Sequence, residues 1–155
     1  MRPVKFIDTS VMCNLVPVPA MDQHAAQIRE EMKTHLDAGC QFVLPITTVI
    51  ETGNHIAHLP SGQMRRDTAK AFVEILHFVQ RGKAPWVLHD VSWNADFLGQ
   101  LLAGADTGTT YLQHATSKVG AGDLCILTER SAYEQRTGIR ATVWSIDSDL
   151  TAYRD

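Results

Sequence analysis

Four acidic residues, Asp8, Glu51, Asp123 and Asp147, have the type and spacing to do chemistry together. Hard cations such as Mg²⁺ and Mn²⁺ take oxygen ligands from carboxylates and water. Four converging carboxylates repel one another, and a bound divalent ion removes that penalty. Such an ion polarises a phosphodiester, lowers the pKa of a bound water and stabilises charge on the leaving oxygen. The reaction that suits this set is in-line hydrolysis of a phosphodiester. Proteolytic or glycosidic chemistry would need fewer carboxylates, or a nucleophile that the sequence does not present.

The elements around these residues give them a common place. Val4–Ile7 is a short apolar strand ending at Asp8. Asp22 is expected to cap a helix to about Asp37, with Ile28, Met32 and Leu36 on one face and Gly39 after its end. Gln41–Ile46 reads as a second strand, and Thr47 and Thr48 open a helix through His58 that carries Glu51 in its first turn. Ser61, in the Pro60-Ser61-Gly62 turn, caps a helix to Arg81. Trp86–His89 is a third strand, and Ser92 caps a helix to about Ala103. Tyr111–Lys118 forms a short helix, Gly122 or Asp123 opens another to about Gln135, and Ala141–Ile146 is the last strand, ending at Asp147. Strands separated by helices imply βαβ units and a mainly parallel sheet in one domain over residues 1–155. The C-terminal ends of parallel strands share one edge, where ligands bind. All four acids are expected there.

Each acid also has a purely structural reading. Thr48-x-x-Glu51 matches a capping box. Asp123 suits a helix dipole, Asp8 could cap a short helix, and Asp147 and Asp149 could form turns. Singly, these readings win; four unrelated caps on one sheet edge are a less natural outcome.

Four segments carry a family resemblance. Phe6-Ile7-Asp8-Thr9-Ser10 resembles the opening strand motif of PIN-domain nucleases, and Thr47-Thr48-Val49-Ile50-Glu51 their glutamate-bearing helix start. Gly122-Asp123-Leu124-Cys125-Ile126-Leu127 is similar to the segment with their third acid, and Val143-Trp144-Ser145-Ile146-Asp147-Ser148-Asp149 to their last strand and closing aspartate. Their order and spacing agree over nearly the whole chain. The resemblance implies a three-layer α/β/α sandwich, a Mg²⁺ or Mn²⁺ site and endoribonuclease activity on single-stranded RNA. Many members of this size are toxins, neutralised by a small antitoxin protein and often homodimeric. Carried over residue by residue, Asp8, Glu51 and Asp123 bind metal, Asp147 completes the site with Asp149 as its substitute, and Thr9 or Ser10 hydrogen-bonds the metal shell or a phosphate. Ser145 departs from the threonine common at that position, and Pro85–Val119 is less typical of the family.

Other features are weaker. Arg65 and Arg66, with Lys70 one turn on, form the densest basic cluster, and Lys118 precedes Asp123; both are candidate phosphate contacts with a solvated surface as the simpler reading. His55 lies four residues after Glu51 on the same helix face. Asp106-Thr107-Gly108 resembles an aspartic-protease triplet, but the helical periodicity contradicts the all-β fold that such an enzyme needs. Cys13, Cys40 and Cys125 sit in apolar surroundings and read as reduced core thiols. The net charge of −3 creates no global field that draws in a polyanion, although an acidic metal cluster itself contributes to it. Met1 to Phe6 lacks the apolar run of a secretion signal and no stretch is long and apolar enough to cross a bilayer, so a cytoplasmic location is expected. The alternatives to an endoribonuclease are a non-catalytic RNA-binding or regulatory module of the same fold, and a metal-dependent phosphatase of small phosphoesters.

Overall fold

The computed structural model describes residues 2–147 and 150. Its elements are β1 (Val4–Ile7), α1 (Thr9–Leu15), α2 (Ala25–Asp37), β2 (Gln41–Val43), α3 (Ile46–Ala57), α4 (Gly62–Gln80), β3 (Trp86–Val87), α5 (Ala95–Leu102), α6 (Tyr111–Thr116), α7 (Ala121–Thr137) and β4 (Ala141–Trp144). The strands form one all-parallel sheet in the order β3-β2-β1-β4. Val4 pairs with Gln41 on one side and Ala141 on the other, and Ile7 with Trp144.

The alternation of side chains across the pleat separates two cores. On one face Ile7, Phe42, Trp86 and Trp144 pack against Met12 of α1, Ile28 of α2, Ile56 of α3 and Phe72 of α4. On the other, Val4, Phe6, Val43 and Val143 pack against Leu124, Leu127 and Tyr133 of α7, with Leu101 of α5 and Tyr111 of α6 at the margin. The fold is therefore a three-layer α/β/α sandwich. Each fully buried large side chain contributes about 1.5–3 kcal/mol, so two cores built on so short a sheet are its main support. Trp144, buried to 2% exposure, satisfies its indole N–H by donating to Glu31 Oε2 at 2.7 Å.

The connections β1→β2→β3 step outward in one direction, and the chain then crosses back to place β4 on the far side of β1. The reversal lies between β1 and β4, and in open parallel sheets the crevice beyond the strand ends at that point receives the ligand.

Several boundaries differ from expectation. Asp8 does cap a short helix, α1, as its structural reading allowed, with Ser10 N–H donating to Oδ2 at 3.4 Å. Asp22 does not cap α2; His24 holds that position without a side-chain bond. β2 stops at Val43 because Pro45, fixed in extended backbone, starts α3 one residue later. Asn94, rather than Ser92, caps α5 through its bond from Phe97 N–H at 2.9 Å. β4 ends at Trp144, so Asp147 stands three residues beyond the strand instead of directly on its end. Ser61 caps α4 as the sequence predicts, and Gly138 closes α7 in the left-handed conformation (φ 71°). Among the described residues, no helix is long and apolar enough to cross a membrane.

Candidate metal centre at the switch point

Asp8 leaves β1 with its backbone N–H donating to the Trp144 carbonyl at 3.1 Å, which carries the sheet ladder one step past the strands. Its side chain is 3% exposed. Oδ2 accepts from Ser10 Oγ at 2.6 Å and from Ser145 Oγ at 2.8 Å. Both hydroxyl protons are thereby used on one oxygen, and the 3.3 Å contact between Ser10 and Ser145 has none of its own. The same two hydroxyls accept in turn: Ser10 Oγ from Ile146 N–H at 3.1 Å, and Ser145 Oγ from Asp147 N–H at 2.9 Å. This network aims Asp8 and fixes the segment after β4 that carries Asp147.

Glu51 belongs to the second turn of α3, since that helix begins at Ile46. The capping-box reading does not hold. Thr48 Oγ1 donates to the Ile7 carbonyl at 2.7 Å, tying α3 to the end of β1, while Glu51 Oε1 accepts from Thr9 Oγ1 at 2.8 Å. Glu51 Oε2 lies against the first turn of α7, where a Cβ on Gly122 would come within 2.7 Å of it. Glycine there is a requirement of close approach, and it brings the glutamate beside Asp123, the third residue of α7.

All four acids line one cavity of about 460 Å³. Thr9 and Ser10 line it with them, as do Asn14, Met21, His24 and His55. Asn14, 2% exposed, ties α1 to the start of α2: its Nδ2 donates to the Ser10 carbonyl at 2.8 Å and its Oδ1 accepts from His24 N–H at 2.9 Å. The lining contains no Lys or Arg among the described residues. Cys13, at the cavity floor, senses the acids. Burial pushes its thiol up to about 11, the neighbouring Thr52 hydroxyl opposes the rise, and the charges of Asp8 and Glu51 add to it.

Oxygen donors of this kind suit a hard divalent cation rather than a soft one. Asp8 Oδ1 and Glu51 Oε2 make no hydrogen bond among the described residues, so one oxygen of each is open to a cation while the other is held in place. The donor set fits Mg²⁺ or Mn²⁺, although among the described residues no three acidic, histidine or cysteine side chains are already drawn together as a finished metal shell. Mutual repulsion of carboxylates would oppose their closing into such a shell without a cation.

The remaining candidates are placed differently. Arg65 and Arg66 lie on α4 outside the cavity lining, and Arg65 Nη1 donates to the Leu59 carbonyl at 2.7 Å just past the end of α3. Lys118 is exposed in the turn before α7 with φ 66° and does not line the cavity. Thr9 and Ser10 do line it, with their protons committed to Glu51 and Asp8. Asp149 lies outside the described residues. Sequence reasoning missed Asn14 and Gly122 as site residues and noticed Ser145 only as a departure; the signal for Ser145 was its place directly after an apolar strand, two residues before Asp147. Compared with known proteins, the chain matches no family model, no curated protein and no solved structure.

Proposed function

We propose that the chain is a Mg²⁺- or Mn²⁺-dependent endoribonuclease that hydrolyses phosphodiester bonds of single-stranded RNA. The observation that carries this reading is the convergence of Asp8, Glu51, Asp123 and Asp147 on one cavity at the switch point of a parallel sheet. The resemblance of the four segments around these acids to PIN-domain nucleases points the same way. The ion, when bound, supplies a Lewis acid and an activated water.

The chain's own residues do the rest. Ser10 and Ser145 orient Asp8, and Thr9 orients Glu51, so that the free oxygen of each meets the ion without a search. Asp123 and Asp147 complete the acidic wall, and Asp149 is the alternative to Asp147. His24 and His55, which also line the cavity, are the groups able to give a proton to the leaving oxygen. Arg65, Arg66 and Lys118, outside the cavity, are the cationic side chains available to a longer strand, where phosphate contacts add affinity without sequence preference. A small antitoxin partner and a homodimer belong to the same reading through the family resemblance, and a cytoplasmic location accompanies it.

The test is cleavage of a single-stranded RNA by the purified chain. Cleavage is expected with Mg²⁺ or Mn²⁺, and is expected to fall to background in EDTA, in Asp8→Asn and in Glu51→Gln. Undiminished cleavage by Asp8→Asn in EDTA would sink the proposal.

A further inference from the structure

Glu129 stands in the middle of α7, only 3% exposed, and serves a helix other than its own. Its Oε1 accepts a hydrogen bond from Ile46 N–H, the first residue of α3, at 3.2 Å. That helix begins on Pro45, whose side chain offers no capping oxygen, and it has no side-chain cap bond from its own N-terminal residue. The first N–H groups of a helix lack partners and carry the positive end of its dipole. A carboxylate from α7 supplies both the acceptor and the opposing charge. On its other side, Glu129 Oε2 lies 3.5 Å from His89 Nε2, and the His89 ring meets Phe6 and Tyr133 edge-on at 5.4 and 5.7 Å. The bond from Ile46 N–H is therefore the hydrogen bond that holds this carboxylate, with His89 beside its other oxygen.

The same two helices meet at two more points. The Thr47 side chain lies beside the Cys125 thiol, and Glu51 Oε2 rests on Gly122. Position 46 thus faces 129, 47 faces 125 and 51 faces 122. The helices run antiparallel along this seam in a single register. Apolar packing is non-directional and tolerates sliding; a hydrogen bond to one N–H does not. A shift of one helical turn, about 5.4 Å, would carry Glu51 off Gly122 and away from Asp123.

We propose that Glu129 is a positioning residue: by pinning the N-terminus of α3 to α7 it sets the register that brings Glu51 beside Gly122 and Asp123. The inference rests on the reading of the four acids as a metal site only for its consequence in metal binding; the register itself is read independently.

Two measurements test it on the full chain. Glu129→Gln keeps an acceptor for Ile46 N–H, and Glu129→Ala removes it. Calorimetric titration with Mn²⁺ is expected to give wild-type affinity within about twofold for Glu129→Gln and a loss of about tenfold or more for Glu129→Ala, the range typical of outer partners of metal ligands. Val79→Ala, in the core of α4, is the control for destabilisation alone and is expected to bind Mn²⁺ like wild type. Crystal structures of both Glu129 variants are expected to show the Glu51–Gly122 contact kept in Glu129→Gln and broken in Glu129→Ala. If Glu129→Ala does not fold, Glu129→Asp, one methylene too short to reach Ile46, takes its place in both measurements. Wild-type Mn²⁺ affinity or an unmoved Glu51 in the disrupted variant overturns the proposal, as does an equal loss in Glu129→Gln. Wild-type Mn²⁺ affinity in Asp8→Asn would instead overturn the metal-site reading, leaving the crystallographic test of the register intact.

Discussion

Ser145 gives its hydroxyl proton to Asp8 Oδ2 across 2.8 Å, joining the ends of β4 and β1, the two strands that flank the switch point. Ser145 is fully buried, and its oxygen also receives the Asp147 N–H at 2.9 Å, so one atom holds two of the four acids. Ser145→Ala leaves a buried carboxylate oxygen short of a donor and an N–H without its acceptor. A hydrogen bond to a charged group is worth about 1.5–3 kcal/mol, and a loss of that order is expected in chemical denaturation. Mn²⁺ affinity and RNA cleavage should fall about 10–100-fold. Ser145→Thr keeps the hydroxyl and should recover most of both, which a calorimetric titration beside a denaturation curve will show.

Glu51 separates a structural acid from a ligand acid. As a capping-box residue it would stabilise α3, and its removal would cost about 1 kcal/mol. The structure engages it with Thr9 instead, among three other acids whose charges oppose its own. Glu51→Gln is therefore expected to leave stability unchanged or slightly raised, because relief of repulsion offsets the weaker bond from Thr9, while Mn²⁺ binding is lost. Thr48→Val is expected to behave in the opposite way. It orphans the Ile7 carbonyl at a fully buried position and should cost about 1–3 kcal/mol with far less effect on the acids.

Cys13 reports on the same field through pH. Burial and the neighbouring charges of Asp8 and Glu51 push its thiol up to about 11, from an ordinary value of 9.0. A group whose folded value is raised contributes stability that is whole below the unfolded value and lost as pH climbs through the folded one. In the window from 9.0 to about 11 the unfolded chain ionises this thiol and the native chain does not, so stability should decline across it. Cys13→Ala should flatten that decline in denaturation curves taken at successive pH values. At pH 8 the native thiol should resist alkylation, since the thiolate is the reactive form and Cys13 is 3% exposed.

The acids and the parallel sheet were legible in the sequence because both follow from local pattern. Val4–Ile7 and Ala141–Trp144 are mostly apolar and rich in β-branched and aromatic residues, and an acid within a few residues of each strand's end lies at the shared edge. Helix starts were read less well. Pro45 displaced the start of α3 and Asn94 replaced Ser92, because several candidate capping residues compete within a few positions and tertiary packing chooses between them. The hydroxyls and glycine that hold the acids were hardly legible at all. Ser145, Asn14 and Gly122 act through partners 137, 10 and 71 residues away in the chain, taking Asp8, His24 and Glu51 as those partners, and no local pattern encodes such pairings.

Gly122 offers the cleanest separation of folding from the site. It is the second residue of α7, and alanine is preferred to glycine within a helix by up to about 1 kcal/mol. Against that gain stands one obstacle: a Cβ would sit 2.7 Å from Glu51 Oε2 and 3.0 Å from its Cδ. The obstructing atoms are the end of a flexible side chain, which swings aside at small cost, and no backbone has to move. Gly122→Ala is accordingly expected to fold with unchanged or slightly higher thermal stability. The glutamate that swings aside leaves Thr9 and loses its place beside Asp123, so Mn²⁺ affinity and RNA cleavage should drop about tenfold or more, as they do when a metal ligand loses its orienting contacts. Thermal denaturation and Mn²⁺ titration on the same preparation decide the matter. A variant that keeps full metal affinity would show that Glu51 finds the ion without the close approach to α7, and one that unfolds would show that the seam tolerates no Cβ at all.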